Sequence, residues 1–455
     1  MSTFIGGKAQ IRLESEASLA HYFQDHAKAK SRQLVGLELE IFGVHARTGR
    51  ALPYSGPAGI ESVLKVLAQR FEYESVSDNG HIIALQRRDA MISLEPGGQV
   101  ELSAPPAANV FEIEGQIRRF FSELSSLKND FPENAWIAFG IQPFSLREEI
   151  EWVPKTRYKI MAEHMSSRGS LSHDMMKCTA TNQVNFDYQD EEDAMESLRV
   201  ALSITSIVTA LFANSPFSGG VPNGFLTRRL EIWNHTDPAR TGIPVRFLEP
   251  GKTFRDYLDT MLEMPMFFIV RDGSWIPMQG RTFRNFLKSG YDSWHATLED
   301  FELHLSTSFP EARIKQYLEV RGMDCQSPPL IPAVAAFWKG LLYRRETKRE
   351  ALKLVEFATL EDRMKLHQEV PRLGLAAKLG GRPVLELARD LVDLSCESLS
   401  YQTTQAESRS ECVFLKKIRT EIIETRQSPA ERFLAWYHEK PVRSPAEIVD
   451  RLSIG

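Results

Sequence analysis

The stretch "LVGLELEIFG" (34–43) sets Glu38 and Glu40 one residue apart inside an otherwise apolar run. In a strand, residues i and i+2 point the same way, about 6.6–6.8 Å apart. The two carboxylates therefore share one face, and Leu37, Leu39 and Ile41 share the other. The same alternation recurs in "GQVELS", which aligns Gln99 and Glu101, in "NQVNFDY", which aligns Gln183, Asn185 and Asp187, and in "YLEVRGMD", which aligns Glu319 and Arg321. Glu95 stands just before Pro96-Gly97-Gly98, a bend or bulge signal. The wet side of an antiparallel sheet is the plain alternative, but lysine or threonine would be the usual choice there, and these positions carry acids and amides. Two carboxylates at this spacing repel by roughly 2.5 kcal/mol at an effective dielectric of 20. Four or five such groups on neighbouring strands call for compensation by a hard divalent cation. Mg²⁺ takes oxygen ligands, keeps some of its waters and commonly accompanies a nucleoside triphosphate. The pattern predicts metal ligands on the floor of a cleft.

Cations occur where a phosphoryl group would need them. "HLSTSFPEARIKQYLEVRGMD" (304–324) carries Arg313, Lys315 and Arg321 around Glu319, a combination suited to the charge of a transferring phosphoryl group. "RRLEIWNHTDPARTG" (228–242) carries Arg228, Arg229 and Arg240, whose forks can grip the carboxylates of an amino acid. There is no Walker loop or dinucleotide fingerprint; the glycines of "NSPFSGGVPNG" are in the wrong order. No Ser-His-Asp or Cys-His set suggests a covalent nucleophile.

These residues need strands to align them and helices to back the strands. The 455 residues include 55 Lys+Arg against 60 Asp+Glu, so no basic field exists to gather nucleic acid or an anionic membrane surface. Helices are expected over 10–30, 56–71 and 109–127, and in a long segment from "DEEDAMESL" to the residue before Pro216. Its apolar part, "VALSITSIVTALFA" (200–213), is too short to span a bilayer and reads as a buried helix. Strands are expected at "QLVGLELEIFGV", "HIIALQRR", "AMISLEPG", "GQVELSAPP", "NAWIAFGIQPF" and "NQVNFDYQ". From about 330 onward every segment has helical period. Mixed rather than alternating elements indicate an α+β fold with a largely antiparallel sheet. Residues 1–330 are read as a catalytic core and 331–455 as a mostly helical region packed on it, in one continuous unit. The N-terminus shows no signal-peptide pattern, and the four cysteines, without metal-type spacing, are read as free thiols of a cytoplasmic protein.

The chain resembles the plant-type glutamate–cysteine ligases, the branch shared by plants and many proteobacteria. The resemblance rests on "GLELEIFGV", "SLEPGGQVELS", "RYKIMAEHM", "DMMKCTATNQVNFDY", "TALFANSPFSGGVPNGF", "IWNHTDPARTG", "MPMFF", "GRTFRNFL", "HLSTSFPEARIKQYLEVRGMD" and "AAFWKGLLY", in family order from about residue 34 to 345. It implies a glutamine synthetase-like fold, a curved antiparallel sheet forming a funnel. It also implies that ATP phosphorylates the γ-carboxylate of glutamate and that the amine of cysteine attacks the acyl phosphate, giving γ-glutamylcysteine, the first step of glutathione biosynthesis. On matching positions, Glu38, Glu40, Glu95, Glu101 and Glu319 are the implied ligands of two or three Mg²⁺ ions, with Gln183 and Asn185 beside them on the substrate side. Arg321 is implied to steady the phosphoryl group, Arg313 and Lys315 to lie nearer the nucleotide, and Arg229 and Arg240 to bind carboxylates. The alternative activity is a γ-glutamyl ligase with another amine acceptor in a specialised pathway. The expected partners are glutamate, cysteine and ATP, without nucleic acid or membrane, in a monomer or weak homodimer. Plant members carry regulatory cysteine pairs. Here Cys178 lies two residues before one such position, and Met278, Ala333 and Val334 stand near others, so no such redox switch is expected.

Overall fold

The architecture follows from the strand Val35–His45, whose odd-numbered apolar residues can be buried on one side only. Leu37, Leu39 and Ile41 are all buried, and the helices Val110–Ser125 and Ile331–Leu342 pack against this strand. Each such side chain contributes about 1.5–3 kcal/mol when fully buried. A slip of one residue would exchange them for Glu38 and Glu40, so the register is pinned. The structure, a computed structural model, describes residues 11–402 and 409–455.

Nine strands form the main sheet. Its order runs Ala312–Ile314, Leu318–Val320, Asn182–Phe186, Val35–His45, Val100–Ser103, Ala90–Leu94, His81–Arg87, Glu74–Asp78, and Asn134–Ile137 pairs with the far end of the central strand. Every pairing in it is antiparallel. The expected α+β class and antiparallel sheet are present. "NAWIAFGIQPF" supplies only four strand residues before the chain leaves the sheet.

The helices Ile60–Phe71, Val110–Ser125 and Glu191–Leu211 fall where the apolar spacing puts them. Asn109 caps the second by accepting from the Glu112 amide, and Asp190 caps the third through the Asp193 amide. Glu191–Leu211 is long and apolar enough to cross a membrane by composition, but it is mostly buried inside the protein. The helix expected over 10–30 breaks into the short turns Glu16–Leu19, Tyr22–Asp25 and Lys30–Arg32, with residue 10 outside the described residues. Tertiary anchors win there: Phe23 packs on Phe254, Tyr257 and Phe301, and the Lys28 amide donates to the Tyr188 carbonyl. Beyond residue 330 the regular elements among the described residues are helices, from Ile331–Leu342 through Pro445–Leu452, apart from a two-strand hairpin at 378–383. Ile331–Leu342 is buried along its whole length, and apolar residues from Leu13 to Val449 belong to one continuous core.

The cysteine reading needs correction. Cys396 and Cys412 form a disulfide, while Cys178 and Cys325 are free and buried. The helices Val384–Gln402 and Cys412–Ile418 pack on each other and on Ile331–Leu342, which brings the two Cα atoms to 4.8 Å. A separation of sixteen residues carries no trace of that contact. Closing a loop of this size stabilises a fold by about 3 kcal/mol. Reduction, or a Cys396→Ser variant, is expected to lower the unfolding free energy by about that amount in denaturant titration. Turnover should stay unchanged, because neither cysteine lines the cleft described below; a several-fold response of activity to reductant would overturn this assignment.

Candidate active site

Register alone collects the acids. Across neighbouring strands Glu40 stands opposite Glu101, Glu38 opposite both Gln183 and Ser103, Asn185 opposite Glu319, and Glu319 opposite Arg313. Cross-strand partners share a face, so segments centred on 38, 101, 185 and 319 present their polar side chains to one side of the sheet. That side is not solvated: Glu38, Glu40, Glu101 and Glu319 are only 5%, 8%, 4% and 0% exposed. Gly36 leaves room for the amide of Asn185; a Cβ there would lie 3.2 Å from the Asn185 Cβ. The loop after Leu94 turns through a Gly98–Glu95 backbone hydrogen bond of 2.9 Å, with Gly98 at φ +82, and presents Glu95 to the same region.

A cleft of about 950 Å³ opens over this face, lined by Glu38, Glu40, Glu95, Glu101, Gln183, Arg229, Arg313 and Arg321 among others. Its polar groups are held by their neighbours. Asn185 Nδ2 donates to Glu38 Oε1 at 3.0 Å, Gln183 Nε2 to Glu40 Oε1 at 3.1 Å, and the Thr181 amide to Glu40 Oε2 at 3.1 Å. Ser103 Oγ donates to Glu101 Oε1 at 2.7 Å. Behind Arg229, Asp324 accepts from Asn214, Ser215 and Thr227, and so ties the helix Arg228–Asn234 to the loop after Glu191–Leu211.

The charges fall into two groups. Glu319 pairs with Arg313 at 2.7 Å, with Lys315 at 2.5 Å and with Arg321, which also donates to Gln183. Burial alone would raise its pKa, but these three cations hold it well below the usual carboxylate range. Glu40 and Glu95 show the reverse. Burial, then the nearby Glu95 and Glu101, pushes Glu40 well above the usual range. Burial, then Glu101, pushes Glu95 up to about 7. Crowded acids with too little positive charge are what a hard cation relieves, and the buried Oδ1 of Asn185, beside Glu38, has no hydrogen-bond partner among the described residues. The donor set therefore fits Mg²⁺. Among the described residues no three acids, histidines or cysteines close on a single point, as suits an ion that completes its shell with water and phosphate oxygens.

The other expected residues divide. Asn185 and Lys315 stand just outside the cleft wall, on Glu38 and Glu319. Glu319 lies beneath the wall as counter-ion of its three cations. Arg240 stands outside the cleft wall: it donates to Asp237 (2.7 Å), the Thr307 carbonyl (3.0 Å) and the Pro265 carbonyl (3.0 Å), and its guanidinium stacks on Phe267. Three of its five N–H groups thus clamp loops together. Sequence reasoning missed Arg157, which lines the cleft near Glu95 with its buried Nε unpartnered. "RYKIMAEHM" contained that signal, a basic-aromatic pair opening the helix Thr156–Met165. Beside it Lys155 and Tyr158 both donate to the Leu94 carbonyl at 2.6 Å, holding the residue before Glu95. Also missed was the apolar wall of Met161, Met175, Met176, Trp233, Phe268 and Phe309.

The sequence matches the family described as Glutamate-cysteine ligase family 2 over residues 34–447. The chain belongs to this glutamate–cysteine ligase family. It is 35% identical over 441 residues to the chloroplastic glutamate–cysteine ligase of Nicotiana tabacum, covering 96% of this chain and 83% of that one. It is 36% identical over 423 residues to the Arabidopsis thaliana enzyme, covering 92% and 79%. The glutamate–cysteine ligase of Francisella tularensis, solved in complex with AMP, shares the fold with a TM-score of 0.57 at 11% identity, over 92% of this chain and 87% of that one. The expected ligase fold and family are thereby established. The expected cytoplasmic location is overturned by the same relatives, which are named chloroplastic.

Glu95 makes the crowding measurable. Its pKa in the fold, about 7, exceeds the ordinary 4.5, so its penalty is absent below about 4.5 and complete above about 7. Glu95→Gln is expected to gain stability over the parent as pH rises from 4.5 to 8 without divalent cation, by at most about 3 kcal/mol, since the partly exposed side chain is screened by solvent. Added Mg²⁺ should raise the parent's melting temperature more at pH 8 than at pH 5. Thermal denaturation across that range checks both; a pH-independent difference would remove the crowding from the account.

Proposed function

We propose that this ligase joins the γ-carboxylate of glutamate to the amine of cysteine through a γ-glutamyl phosphate, using ATP and Mg²⁺, with each chain, as monomer or weak homodimer, carrying a complete site. The observation that carries this reading is the single buried face on which Glu38, Glu40 and Glu101 converge, in a cleft also lined by Arg229, Arg313 and Arg321. Glu38, Glu40, Glu95 and Glu101, with the Gln183 and Asn185 oxygens, would hold two or three Mg²⁺ ions. When bound, Mg²⁺ neutralises triphosphate charge and lines up the γ-phosphoryl group.

The chain's own cations do the rest. A carboxylate is a poor acyl donor, and phosphorylation makes it a good one. Arg229, buried with Nε unpartnered, offers a fork to a substrate carboxylate. Arg157 offers a second at the Glu95 end. Arg313, Lys315 and Arg321 are spent on Glu319 until phosphate oxygens compete for them. Nucleotide phosphates would compete for these donors, and Glu319 would then be available as a further Mg²⁺ ligand. Arg321, at the centre of this trio, is placed to follow the phosphoryl group from ADP to the γ-carboxylate. The wall formed by Met161, Met175, Met176, Trp233, Phe268 and Phe309 excludes water that would hydrolyse the acyl phosphate, and offers polarisable surface to a thiol side chain.

Mass spectrometry of products from glutamate, cysteine and ATP should find γ-glutamylcysteine with one ADP released per bond. A panel of other amines should release ADP far more slowly. Glu38→Gln and Glu101→Gln should each lose roughly 100-fold or more in turnover with unchanged circular dichroism. Full activity in either variant would break the metal assignment, and faster turnover with another amine would transfer the activity to that acceptor.

A further inference from the structure

Asp324 is a fully buried carboxylate that does not line the cleft. It stands three residues after Arg321, on a segment pinned by threonine hydroxyls. Thr181 Oγ1 donates to the Met323 carbonyl at 2.5 Å, and Thr209 Oγ1 to the Gly322 carbonyl at 3.0 Å. Gly140 leaves the carboxylate its room, since a Cβ there would lie 2.6 Å from Asp324 Cγ. Burial pushes the Asp324 carboxyl above the ordinary range, and its hydrogen-bond donors act against that. Oδ2 accepts from the Asn214 amide and from Ser215 Oγ, each at 2.7 Å, and Oδ1 accepts from Thr227 Oγ1 at 3.0 Å.

Both hydroxyls have a second task. Ser215 Oγ accepts from the Arg229 amide at 3.1 Å, and Thr227 Oγ1 accepts from the Leu230 amide at 3.3 Å as cap of the helix Arg228–Asn234. A hydroxyl has a single proton. Each gives it to Asp324, so each oxygen faces the helix as an acceptor, and the carboxylate fixes the direction of both caps. A helix of seven residues does not hold its place by its own hydrogen bonds. Its caps therefore set where Arg229 starts. The far end of Arg229 is held more loosely: Nη2 donates to the Arg321 carbonyl at 3.1 Å, and the buried Nε has no partner among the described residues. One carboxylate thus ties the helix that carries Arg229 to the segment that carries Arg321.

We propose that Asp324 is a positioning residue of the ligase, holding Arg229 in place relative to Arg321 through Ser215 and Thr227. The substrate carboxylate gripped by one arginine then lies within reach of the phosphoryl group steadied by the other. This rests on the reading above that Arg229 grips a substrate carboxylate.

Steady-state kinetics of the full chain with glutamate, cysteine, ATP and Mg²⁺ tests this. Arg229→Gln identifies the substrate that Arg229 holds by the KM it raises. Asp324→Asn keeps the size of the side chain but turns one acceptor oxygen into a donor, so one cap loses its direction. It should raise the KM of that same substrate about tenfold or more, with kcat and the other two Michaelis constants within about twofold of the parent, the pattern of binding lost equally from ground and transition state. In the double variant Asp324→Asn should add nothing to Arg229→Gln. For a variant too slow to assay, calorimetric dissociation constants for glutamate, cysteine and ADP with Mg²⁺ take the place of KM. The two readings fail separately. If Arg229→Gln raises the KM of ATP alone, the carboxylate reading falls, while a rise in that same constant with Asp324→Asn, absent from the double variant, still supports the positioning role. Equal rises in all three constants, additive effects in the double variant, or a lowered melting temperature with parental Michaelis constants would overturn the proposal. Should Asp324→Asn fail to fold by circular dichroism, Ser215→Ala, which cuts only the link to the Arg229 amide, decides in the same way.

Discussion

The strand Val35–His45 can pack only one of its two faces on helices, leaving the other to form the buried floor of the cleft, and the rest of the site depends on that constraint. Burial of Leu37, Leu39 and Ile41 against helices decides which face goes inward. The acids are carried to the other face by the pleat, without any interaction of their own to place them. Each neighbouring strand repeats the alternation: Leu102 and Val100 beside Glu101, Val184 and Phe186 beside Gln183 and Asn185, Leu318 and Val320 beside Glu319. Hydrophobic burial thus does the positioning, and electrostatic repulsion among the acids is the cost it overcomes.

That cost is unevenly distributed, and the unevenness makes the cleft useful to a ligase. At the Glu319 end three cations surround one carboxylate. At the Glu40–Glu95–Glu101 end burial and mutual repulsion outweigh the nearby cations Arg229, Arg321, Lys155 and Arg157. A polyanionic nucleotide with its cations can answer both deficits, since its phosphates suit the arginines and its metal ions suit the glutamates. Mutual satisfaction of this kind favours binding of the complete ensemble over either component alone.

Which residues reach the cleft could be read from sequence where the period is two and the partner strand is obvious. Glu38, Glu40 and Glu101 are of this kind, and so is Gln183. The basic residues were less legible. Arg229 and Arg240 stand eleven positions apart in one motif-rich stretch, yet one lines the cleft and the other, outside the cleft wall, is tethered to Asp237 and two carbonyls. A long, flexible side chain in a turn or in the first turn of a short helix has no periodicity to reveal its direction. Arg157 was overlooked for the same reason, and the broken helix over 10–30 shows aromatic docking overriding local propensity.

Sequence alone determined the α+β class, the inward and outward faces of the strands, the buried character of Glu191–Leu211 and the chemistry the acids could perform, because these follow from spacing along one segment. Only the tertiary structure decided that Cys396 meets Cys412, that Arg240 bridges Asp237 to two loop carbonyls and that Glu319 sits among three cations. Each of those outcomes joins segments distant in the chain or depends on where a flexible side chain finds its partner, and neither is encoded in local periodicity.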